Sequence, residues 1–301
     1  MTPPTVAVVA PGDMGHAVGR VLIDHGVRVV TVLAGRSRRT AELAAKAGIA
    51  DLGDDRALLD QADMLLSILP PARAVELAER VAAALPAVAR PLLYVDCNAI
   101  APATVRRVAR IVGGAGARFV DAGIIGPPPK TGATATRFYA SGADAERFAE
   151  LAAYGLDVRL IGAEVGQASA LKMCYAAMTK GVTAIQTQAF VAGRALGVEA
   201  ALRDEMQLSQ AGMLKRAETA VPEMPPKAYR WVGEMEEIAA TFGATGLTPR
   251  LFEGVAELYR FVEATPLGQE TPERRSRGQT LDDAVAVLAE ALRQRPRPTG
   301  D

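Results

Sequence analysis

The first forty residues constrain the fold more than any other part of the chain. The apolar run at residues 6–9 breaks into Ala-Pro-Gly-Asp-Met-Gly at residues 10–15, where an amphipathic helical pattern begins. A second apolar run, residues 27–33, is followed by Ala-Gly-Arg-Ser-Arg-Arg at residues 34–39. A strand, a glycine turn, a helix and a second strand are the order of a dinucleotide-binding βαβ unit. The pattern therefore predicts a Rossmann-type sheet at the N-terminus.

The first half of the chain alternates short apolar runs with amphipathic patterns, which is typical of βαβ units on a parallel sheet. We predict strands at residues 5–10, 28–33, 64–69, 92–96, 118–122, 136–141 and 158–161. Helices are predicted between them at residues 15–25, 38–47, 73–85, 102–112 and 144–153. Prolines at residues 70–71 and 127–129 indicate rigid turns at strand ends, where a doubly wound sheet has its ligand crevice.

The pattern changes near residue 162, and no strand pattern returns after it. Residues 165 to about 195 form an alanine-rich run without proline, which predicts a long helix buried nearly all round. The rest is predicted to be helical, with loops near residues 221–226, 243–249 and 265–277. The predicted fold class is α/β, a Rossmann-type doubly wound parallel sheet over residues 1–163 followed by an all-helical domain over residues 164–301. The long apolar helix predicts at least a homodimer.

Composition excludes several classes of function. Thirty-four basic residues balance thirty-four acidic ones, so no nucleic-acid partner is expected. No apolar run reaches the roughly 18–20 residues of a membrane span, and the N-terminus lacks a signal-like charged region. Cys97, Cys174 and the two histidines offer neither a disulfide framework nor metal-ligand spacing. We expect a soluble cytoplasmic protein without a metal, acting on a small molecule.

The turn after the first strand carries the glycines of a pyrophosphate site. Gly12 and Gly15 occupy the second and third glycine positions of the six-residue pattern, and Ala10 replaces the first. Glycines there allow a sharp turn and close backbone approach, and the helix N-terminus favours the phosphate charge. The pattern is common by chance, and its place between a strand and a helix gives it weight. The expected cofactor-binding residues are Pro11, Gly12, Asp13, Met14 and Gly15, with Leu69, Pro70 and Asn98 at neighbouring strand ends.

The end of the second strand bears on the choice between NAD and NADP. An acidic residue there would bind the ribose 2′-hydroxyl of NAD, and this segment has none. Arg36 can form a forked pair with a 2′-phosphate, Ser37 can donate a hydroxyl bond, and Arg38 or Arg39 can add charge. Cations at a helix N-terminus oppose its dipole, which argues against a merely solvated helix start. The sequence therefore favours NADP(H) over NAD(H).

Four sequence blocks follow one another between residue 5 and about residue 195. They are Gly-Asp-Met-Gly at 12–15, Asp-Cys-Asn-Ala-Ile-Ala-Pro at 96–102, Asp-Ala-Gly-Ile-Ile-Gly at 121–126 and Gly-Gln-Ala-Ser-Ala-Leu-Lys at 166–172. In these blocks the chain resembles the β-hydroxyacid dehydrogenases, including the 6-phosphogluconate and 3-hydroxyisobutyrate types, and their imine reductase relatives. Residues 230–238 are similar to the C-terminal domain of a poorly characterised branch of that superfamily.

The resemblance implies hydride transfer between a nicotinamide and the β-carbon of a small hydroxy acid or its keto form. It implies that Lys172 is the general acid/base, and its apolar surroundings suit that role because a desolvated ammonium loses basicity. It places Asn98 in the catalytic set near the nicotinamide, and we expect Asp96 to brace that loop. The substrate carboxylate is implied to be bound by the backbone of Gly123, Ile124, Ile125 and Gly126, together with Lys172.

Two departures from the family pattern leave the substrate open. A serine of the simple hydroxyacid enzymes is replaced at Ile124 or Ile125, and an asparagine beyond the lysine is replaced at Tyr175 and Ala176. Tyr175 can join the catalytic set as a hydrogen-bond donor, and it is equally consistent with a core aromatic. The departures motivate two alternatives, an imine (C=N) reductase and an NADPH-binding sensor without turnover. The retained Lys172 argues against both.

The acids of the C-terminal region have no assigned role. Glu234, Glu236 and Glu237 lie near Arg230 and Trp231 in sequence. In the superfamily the helical domain of one subunit often completes the cleft of the other, so one of these groups can bind substrate. A solvated helix face is the stronger interpretation of the three acids.

Overall fold

The computed structural model describes residues 3–85, 91–132 and 135–295. Its contacts divide the chain into two compact units, Met1–Met173 and Cys174–Asp301. The predicted boundary, between residues 163 and 164, lies about ten residues earlier. That position follows the last strand, whereas the division by contacts falls inside a helix.

The described part of the first unit is built on an eight-stranded sheet in the order β3-β2-β1-β4-β5-β6-β7-β8. Its strands are β1 (Thr5–Val9), β2 (Arg28–Thr31), β3 (Ala50–Asp51), β4 (Met64–Ser67), β5 (Leu93–Asp96), β6 (Arg118–Ile125), β7 (Arg137–Ser141) and β8 (Asp157–Gly162). The pairings from β3 to β6 are parallel, β7 is antiparallel to β6, and β8 is parallel to β7. The α/β class is confirmed, and the sheet is mostly rather than wholly parallel.

Helices connect these strands at nearly the predicted places. They are α1 (Asp13–Asp24), α2 (Arg38–Ala47), α3 (Asp55–Gln61), α4 (Ala74–Ala84), α5 (Pro102–Gly114) and α6 (Ala145–Ala149). Short 3₁₀ turns precede α4 at Pro71–Arg73 and follow α6 at Glu150–Tyr154. The sequence prediction missed β3 and α3, because a two-residue strand and a seven-residue helix carry too few residues for a periodic signal.

The sheet is packed on both faces. Val6 and Val8 of β1 belong to one core cluster, whereas Ala7 and Val9 belong to the other. Successive side chains of a strand point to opposite faces, so a sheet covered on both sides needs apolar residues at every position. β4 and β5, buried along their whole length, show the same pattern.

The described residues of the second unit form helices joined by loops and turns, with no strand among them. α7 (Gln167–Ala176) continues from the first unit, and the following helices are α8 (Val182–Ala195), α9 (Glu199–Ser209), α10 (Ala211–Glu223), α11 (Ala228–Ala244), α12 (Arg250–Glu263) and α13 (Leu281–Gln294). A 3₁₀ turn, Pro225–Lys227, joins α10 to α11. The loop predicted near residues 221–226 was wrong in its first half, because Pro222 keeps a helical φ in the last turn of α10. None of the described helices is long and apolar enough to cross a membrane.

The predicted long helix differs from the structure in two respects. A π-helical turn, Ala177–Gly181, separates α7 from α8. The run is also not buried all round, since Met178 is 68% exposed and Tyr175 and Ile185 are exposed as well. Alanine-rich composition cannot distinguish a helix surrounded by its own chain from one with an uncovered apolar face.

Candidate active site

The glycine turn joins the carboxyl end of β1 to the start of α1. Gly12 is the N-cap of α1, and no side chain caps the helix there. A Cβ on Gly15 would lie 2.2 Å from the carbonyl oxygen of Ala10, whereas a Cβ on Gly12 would meet nothing within 4 Å. Pro11 is buried, and Met14 packs on the core beneath the turn. An uncapped helix N-terminus beside open space fits a pyrophosphate.

Arg36 follows β2 and is half-buried. Its side chain forms no hydrogen bond or ion pair within the described part of the chain. Burial, and then the nearby cations of Arg80 and Arg73, lower the pKa of the Arg36 guanidinium. The two neighbours have carboxylate partners, at 2.7 Å for Arg80 and 2.8 Å for Arg73. Arg36 is thus a partly desolvated cation among cations, and an anionic ligand group would stabilise it.

The neighbouring residues 37–39 all have hydrogen-bond or ion-pair partners within the chain. Ser37 is the N-cap of α2, and its Oγ accepts the backbone N–H of Thr40 at 3.2 Å. Arg38 is exposed and pairs with Glu42, four residues on, at 2.8 Å. Arg39 forms an ion pair with Asp13 in the first turn of α1. Of the predicted 2′-phosphate residues, Arg36 has the geometry of an anion ligand, and Arg38 belongs to a solvated helix face.

Asn98 lies after β5 and is buried. Its Oδ1 accepts the backbone N–H of Leu69 at 2.5 Å, and its Nδ2 donates to Ser67 Oγ at 2.7 Å and to Asp96 Oδ2 at 3.0 Å. Asp96 also accepts the backbone N–H of Asn98, so it braces this loop as the sequence indicates. Both amide hydrogens of Asn98 are therefore donated within the protein. The expected contacts of Asn98, Leu69 and Pro70 with the cofactor stay predictions.

Lys172 lies on α7 against the end of β6. Its Nζ donates a hydrogen bond to the carbonyl oxygen of Ile124 at 2.7 Å, and the side chain is partly buried. The pairing of β6 with β5 ends at Asp121, whereas its pairing with β7 continues to Ile125. The last four residues of β6 thus extend past β5, and Lys172 binds the backbone of this extension. The structure brings the predicted acid/base and the predicted carboxylate-binding block together.

Glycines allow this close approach. A Cβ on Gly123 would lie 3.1 Å from Lys172 Cβ and 3.0 Å from the carbonyl oxygen of Ala168. Gly126 has a φ of +129°, and a Cβ there would lie 2.3 Å from the carbonyl oxygen of Ala135. A side chain at position 123 would thus crowd α7, whose backbone and Lys172 stem would have to yield.

The carboxylate of Asp121 makes a second connection between β6 and α7. It accepts hydrogen bonds from the backbone N–H groups of Gly166 and Ser169, at 2.8 and 3.1 Å, and from Ser169 Oγ at 2.7 Å. Ser141 Oγ donates to it from β7 at 3.1 Å and accepts the N–H of Ala168 at 3.0 Å. All three side chains are buried. From the sequence, only backbone groups of this block were predicted to take part in the site, and the role of the Asp121 carboxylate was not predicted.

Tyr175 belongs to the second unit and is 44% exposed. It is therefore not a core aromatic within this chain. Its role as a donor to the substrate stays a prediction.

The same unit contains an ion pair between Lys180, in the π-helical turn, and Glu234 of α11, both nearly buried. The Lys180 ammonium lies 4.9 Å from the ring centre of Trp231, and Tyr259 OH donates to the Lys180 carbonyl at 2.6 Å. Burial, and then the Glu234 charge, raise the pKa of Tyr259. Glu236 instead forms a surface ion pair with Arg260. The predicted solvated face holds for Glu236 and was wrong for Glu234.

Two family models match the chain. Residues 5–154 match the NAD binding domain of 6-phosphogluconate dehydrogenase, and residues 194–262 match a domain of unknown function. An uncharacterized 28.5 kDa protein of Methanothermus fervidus is 29% identical over 172 residues, which cover 57% of this chain and 64% of that relative. The chain thus spans less than two thirds of this relative.

Solved structures extend the similarity. A conserved protein of unknown function, described as similar to 3-hydroxyacid dehydrogenases, is 29% identical with a TM-score of 0.64, covering 86% of this chain and 96% of that one. The Mycobacterium tuberculosis 3-hydroxyisobutyrate dehydrogenase with L-serine is 20% identical, TM-score 0.69, covering 97% and 99%. An Aspergillus terreus reductive aminase with NADPH and ethyl levulinate is 19% identical, TM-score 0.55, covering 96% and 99%. The last two similarities show the fold alone.

Proposed function

Because residues 5–154 belong to the NAD-binding domains of the 6-phosphogluconate dehydrogenase type, we propose that the chain is an NADP(H)-dependent oxidoreductase of small β-hydroxy acids or their keto forms. The observation that carries this proposal is the position of Lys172, whose Nζ binds the Ile124 carbonyl at the end of β6. An amine held at the carboxyl end of a dinucleotide-binding sheet is placed where open α/β sheets bind their ligands.

A bound nicotinamide would exchange a hydride with the β-carbon of the substrate. In the oxidative direction Lys172, as the neutral amine, accepts the proton of the substrate hydroxyl, and a C=O bond forms as the C–H bond breaks. In the reductive direction the Lys172 ammonium returns that proton to the developing alkoxide. The Ile124 carbonyl orients Nζ in both directions.

NADP(H) is the proposed cofactor because of Arg36. A half-buried guanidinium without a carboxylate partner in the described residues suits a 2′-phosphate better than an uncharged 2′-hydroxyl. The hydroxyl of Ser37 can donate to the same phosphate while it accepts from Thr40.

Turnover of a Lys172→Ala variant tests the proposal. NADP(H) absorbance at 340 nm would be followed with 3-hydroxyisobutyrate, L-serine and further β-hydroxy and β-keto acids, for wild type, Lys172→Ala and the exposed-lysine control Lys46→Ala. We expect the Lys172 variant to lose at least about a hundredfold in kcat and the control to match wild type. Turnover of Lys172→Ala within a few-fold of wild type would refute the assigned role.

An imine reductase is the second candidate. Ile124 and Ile125 are buried where the simple hydroxyacid enzymes have a serine, and Tyr175, an exposed residue, lies about one turn after Lys172 in sequence. Reduction of cyclic imines such as 2-methyl-1-pyrroline, without activity on keto acids, would favour this candidate. Tight NADPH binding with no turnover on either panel would instead support a sensor.

We also propose a homodimer formed through the helical unit. Cys174, Met178, Ile185 and Leu196 leave an apolar stripe exposed along the helical run. A groove of about 1130 Å³ lies beside it between α8, α12 and α13. A second copy of this chain would bury the stripe, because identical apolar faces are self-complementary about a two-fold axis.

Light scattering tests the dimer. The wild type should give twice the chain mass, and Ile185→Glu should shift the measured mass towards that of the monomer. A monomeric wild type would refute the dimer.

A further inference from the structure

The N-terminus of α7 is capped by a residue from a different strand. The residue before the helix is Gly166, which has no side chain to cap it and a φ of +109°. In an ordinary N-cap, a side-chain oxygen of the cap residue accepts the N–H of a residue two or three positions later. Here Asp121 Oδ2 accepts the N–H groups of Gly166 and Ser169. The cap is thus supplied by β6, 45 residues earlier in the chain.

The cap is a buried carboxylate. The Asp121 side chain is buried, and its oxygens accept from both backbone groups, from Ser169 Oγ and from Ser141 Oγ. A carboxylate at a helix N-terminus is stabilised by the helix dipole, and hydrogen bonds to a charged acceptor are stronger than neutral ones. These contacts fix the first turn of α7 against β6 and β7.

We propose that Asp121 is a positioning residue that holds Lys172 against the backbone of Ile124. Ser169, which Asp121 binds twice, and Lys172 are three residues apart and lie on neighbouring positions of one helix face. β6 contacts that face three times in succession: through the Asp121 carboxylate, through the close approach at Gly123, and through the Ile124 carbonyl. Rotation or withdrawal of the first turn of α7 would carry Lys172 Nζ away from its acceptor.

The inference rests on the proposed role of Lys172 for its meaning in catalysis, but its geometry can be tested without turnover. The chain has six lysines, so competitive acetylation followed by peptide mass spectrometry resolves each one. The exposed Lys46 and Lys130 serve as internal references within the first unit. A hydrogen-bonded, partly buried Nζ reacts slowly, and release from the Ile124 carbonyl makes it react faster.

The variants would be Asp121→Ala, which removes the cap, and Ser169→Ala, which removes only the hydroxyl bond. Thr187→Val is the matched control, because Thr187 is a buried hydroxyl further along the same helical run that donates to a backbone carbonyl at 2.8 Å. We expect Lys172 acetylation relative to Lys46 to rise at least about threefold in Asp121→Ala, less in Ser169→Ala, and not at all in the control.

If Asp121→Ala does not fold, Ser169→Ala alone decides. Unchanged relative acetylation of Lys172 in every folded Asp121 and Ser169 variant would overturn the proposal. So would the same increase in Thr187→Val, because the effect would then follow from general destabilisation.

The kcat values of the Asp121 variants, alone and combined with Lys172→Ala, distinguish a positioning residue from a merely structural cap. Asp121→Asn can keep an oxygen towards the two N–H groups and donate its amide to Ser169 Oγ, so it should retain more kcat than Asp121→Ala. NADPH affinity should stay within about twofold of wild type in both. Combined with Lys172→Ala, neither change should lower kcat further, since both would act through the lysine. Additive losses would overturn the positioning role, whereas wild-type turnover of Lys172→Ala alone would refute the proposed function and leave the acetylation result standing.

Discussion

Replacement of Arg36 by alanine should separate the binding of NADPH from that of NADH. The two cofactors differ by one phosphate, and Arg36 is the guanidinium at the end of β2 without a partner among the described residues. Removal of a cation that contacts only the 2′-phosphate leaves every group common to both cofactors in place. The change should therefore weaken NADPH and spare NADH.

The size of the effect follows from the surroundings of Arg36. A hydrogen bond to a charged group contributes about 1.5–3 kcal/mol, which corresponds to roughly 10- to 150-fold in affinity. Arg73 and Arg80 remain near position 36 in the variant and would keep the proposed phosphate site cationic. We therefore expect the lower part of the range, about 10- to 50-fold weaker NADPH. Folding stability should not fall, because the change also removes a half-buried charge that its neighbours repel.

Calorimetric titration of both cofactors against wild type, Arg36→Ala and Arg38→Ala provides the test. Arg38 is the matched control, since its guanidinium is exposed and paired with Glu42 at 2.8 Å. We expect Arg38→Ala to change either affinity by less than about threefold, because exposed charges are screened. NADH affinity should stay within about twofold in both variants.

Two results would refute this reasoning. Equal losses for NADPH and NADH would make Arg36 a residue that shapes the whole cofactor site. Unchanged NADPH affinity would mean that the 2′-phosphate is not bound at the end of β2, and the proposed cofactor preference would lose its support.

Two further changes test the glycine turn and the buried ion pair. Gly15→Ala places a Cβ 2.2 Å from a carbonyl oxygen of the turn, so we expect at least about tenfold weaker binding of both cofactors by calorimetry. Its control is Gly113→Ala, whose Cβ meets open space and which should leave both affinities unchanged. Glu234→Gln removes the carboxylate that pairs with the nearly buried ammonium of Lys180, so the free energy of unfolding in urea should fall by about 3 kcal/mol. The exposed Glu236→Gln is the control, with an expected loss of less than about 1 kcal/mol. Equal effects within either pair would contradict the geometry described.

The parts of the fold that could be predicted are those whose signal is local. The apolar run before Gly12 gave β1, and α2 has the predicted bounds, with Ser37 as its cap and Gly48 at its C-cap with a φ of +78°. The direction of β7 depends on the length of the connection that precedes it. The connection from β6, residues 126–136, is shorter than the dozen or more residues of a parallel crossover and contains no helical pattern, so a hairpin and an antiparallel partner follow.

The residues of the candidate site also divide into those with a local sequence signal and those that depend on contacts between distant positions. The glycine turn follows β1, and Arg36 lies in the short segment between β2 and α2, so the positions of both have a local sequence signal. Their roles in cofactor binding stay predictions. The contact of Asp121 with Ser169 spans 48 residues, and the ion pair of Lys180 with Glu234 spans 54. No periodicity in a single sequence couples positions so far apart. The one sequence signal for these contacts is a carboxylate within the otherwise apolar run of β6, because a buried carboxylate needs hydrogen-bond partners.

The alternation of β6 decides which isoleucine stands in the place of the lost serine. The side chains of Val120, Ala122 and Ile124 belong to a core cluster on one face of the sheet. Asp121 and Gly123 lie on the opposite face and contact α7. Since side chains alternate along a strand, Ile125 shares the face of Asp121 and Gly123. The loss of a hydroxyl therefore concerns Ile125, on the side of the helix that carries the lysine, and Ile124 contributes its carbonyl alone. In the proposed reaction, a substrate at this place would meet an apolar side chain where the simple hydroxyacid enzymes offer a hydrogen bond. Its polar groups would then be bound by the backbone and by Lys172.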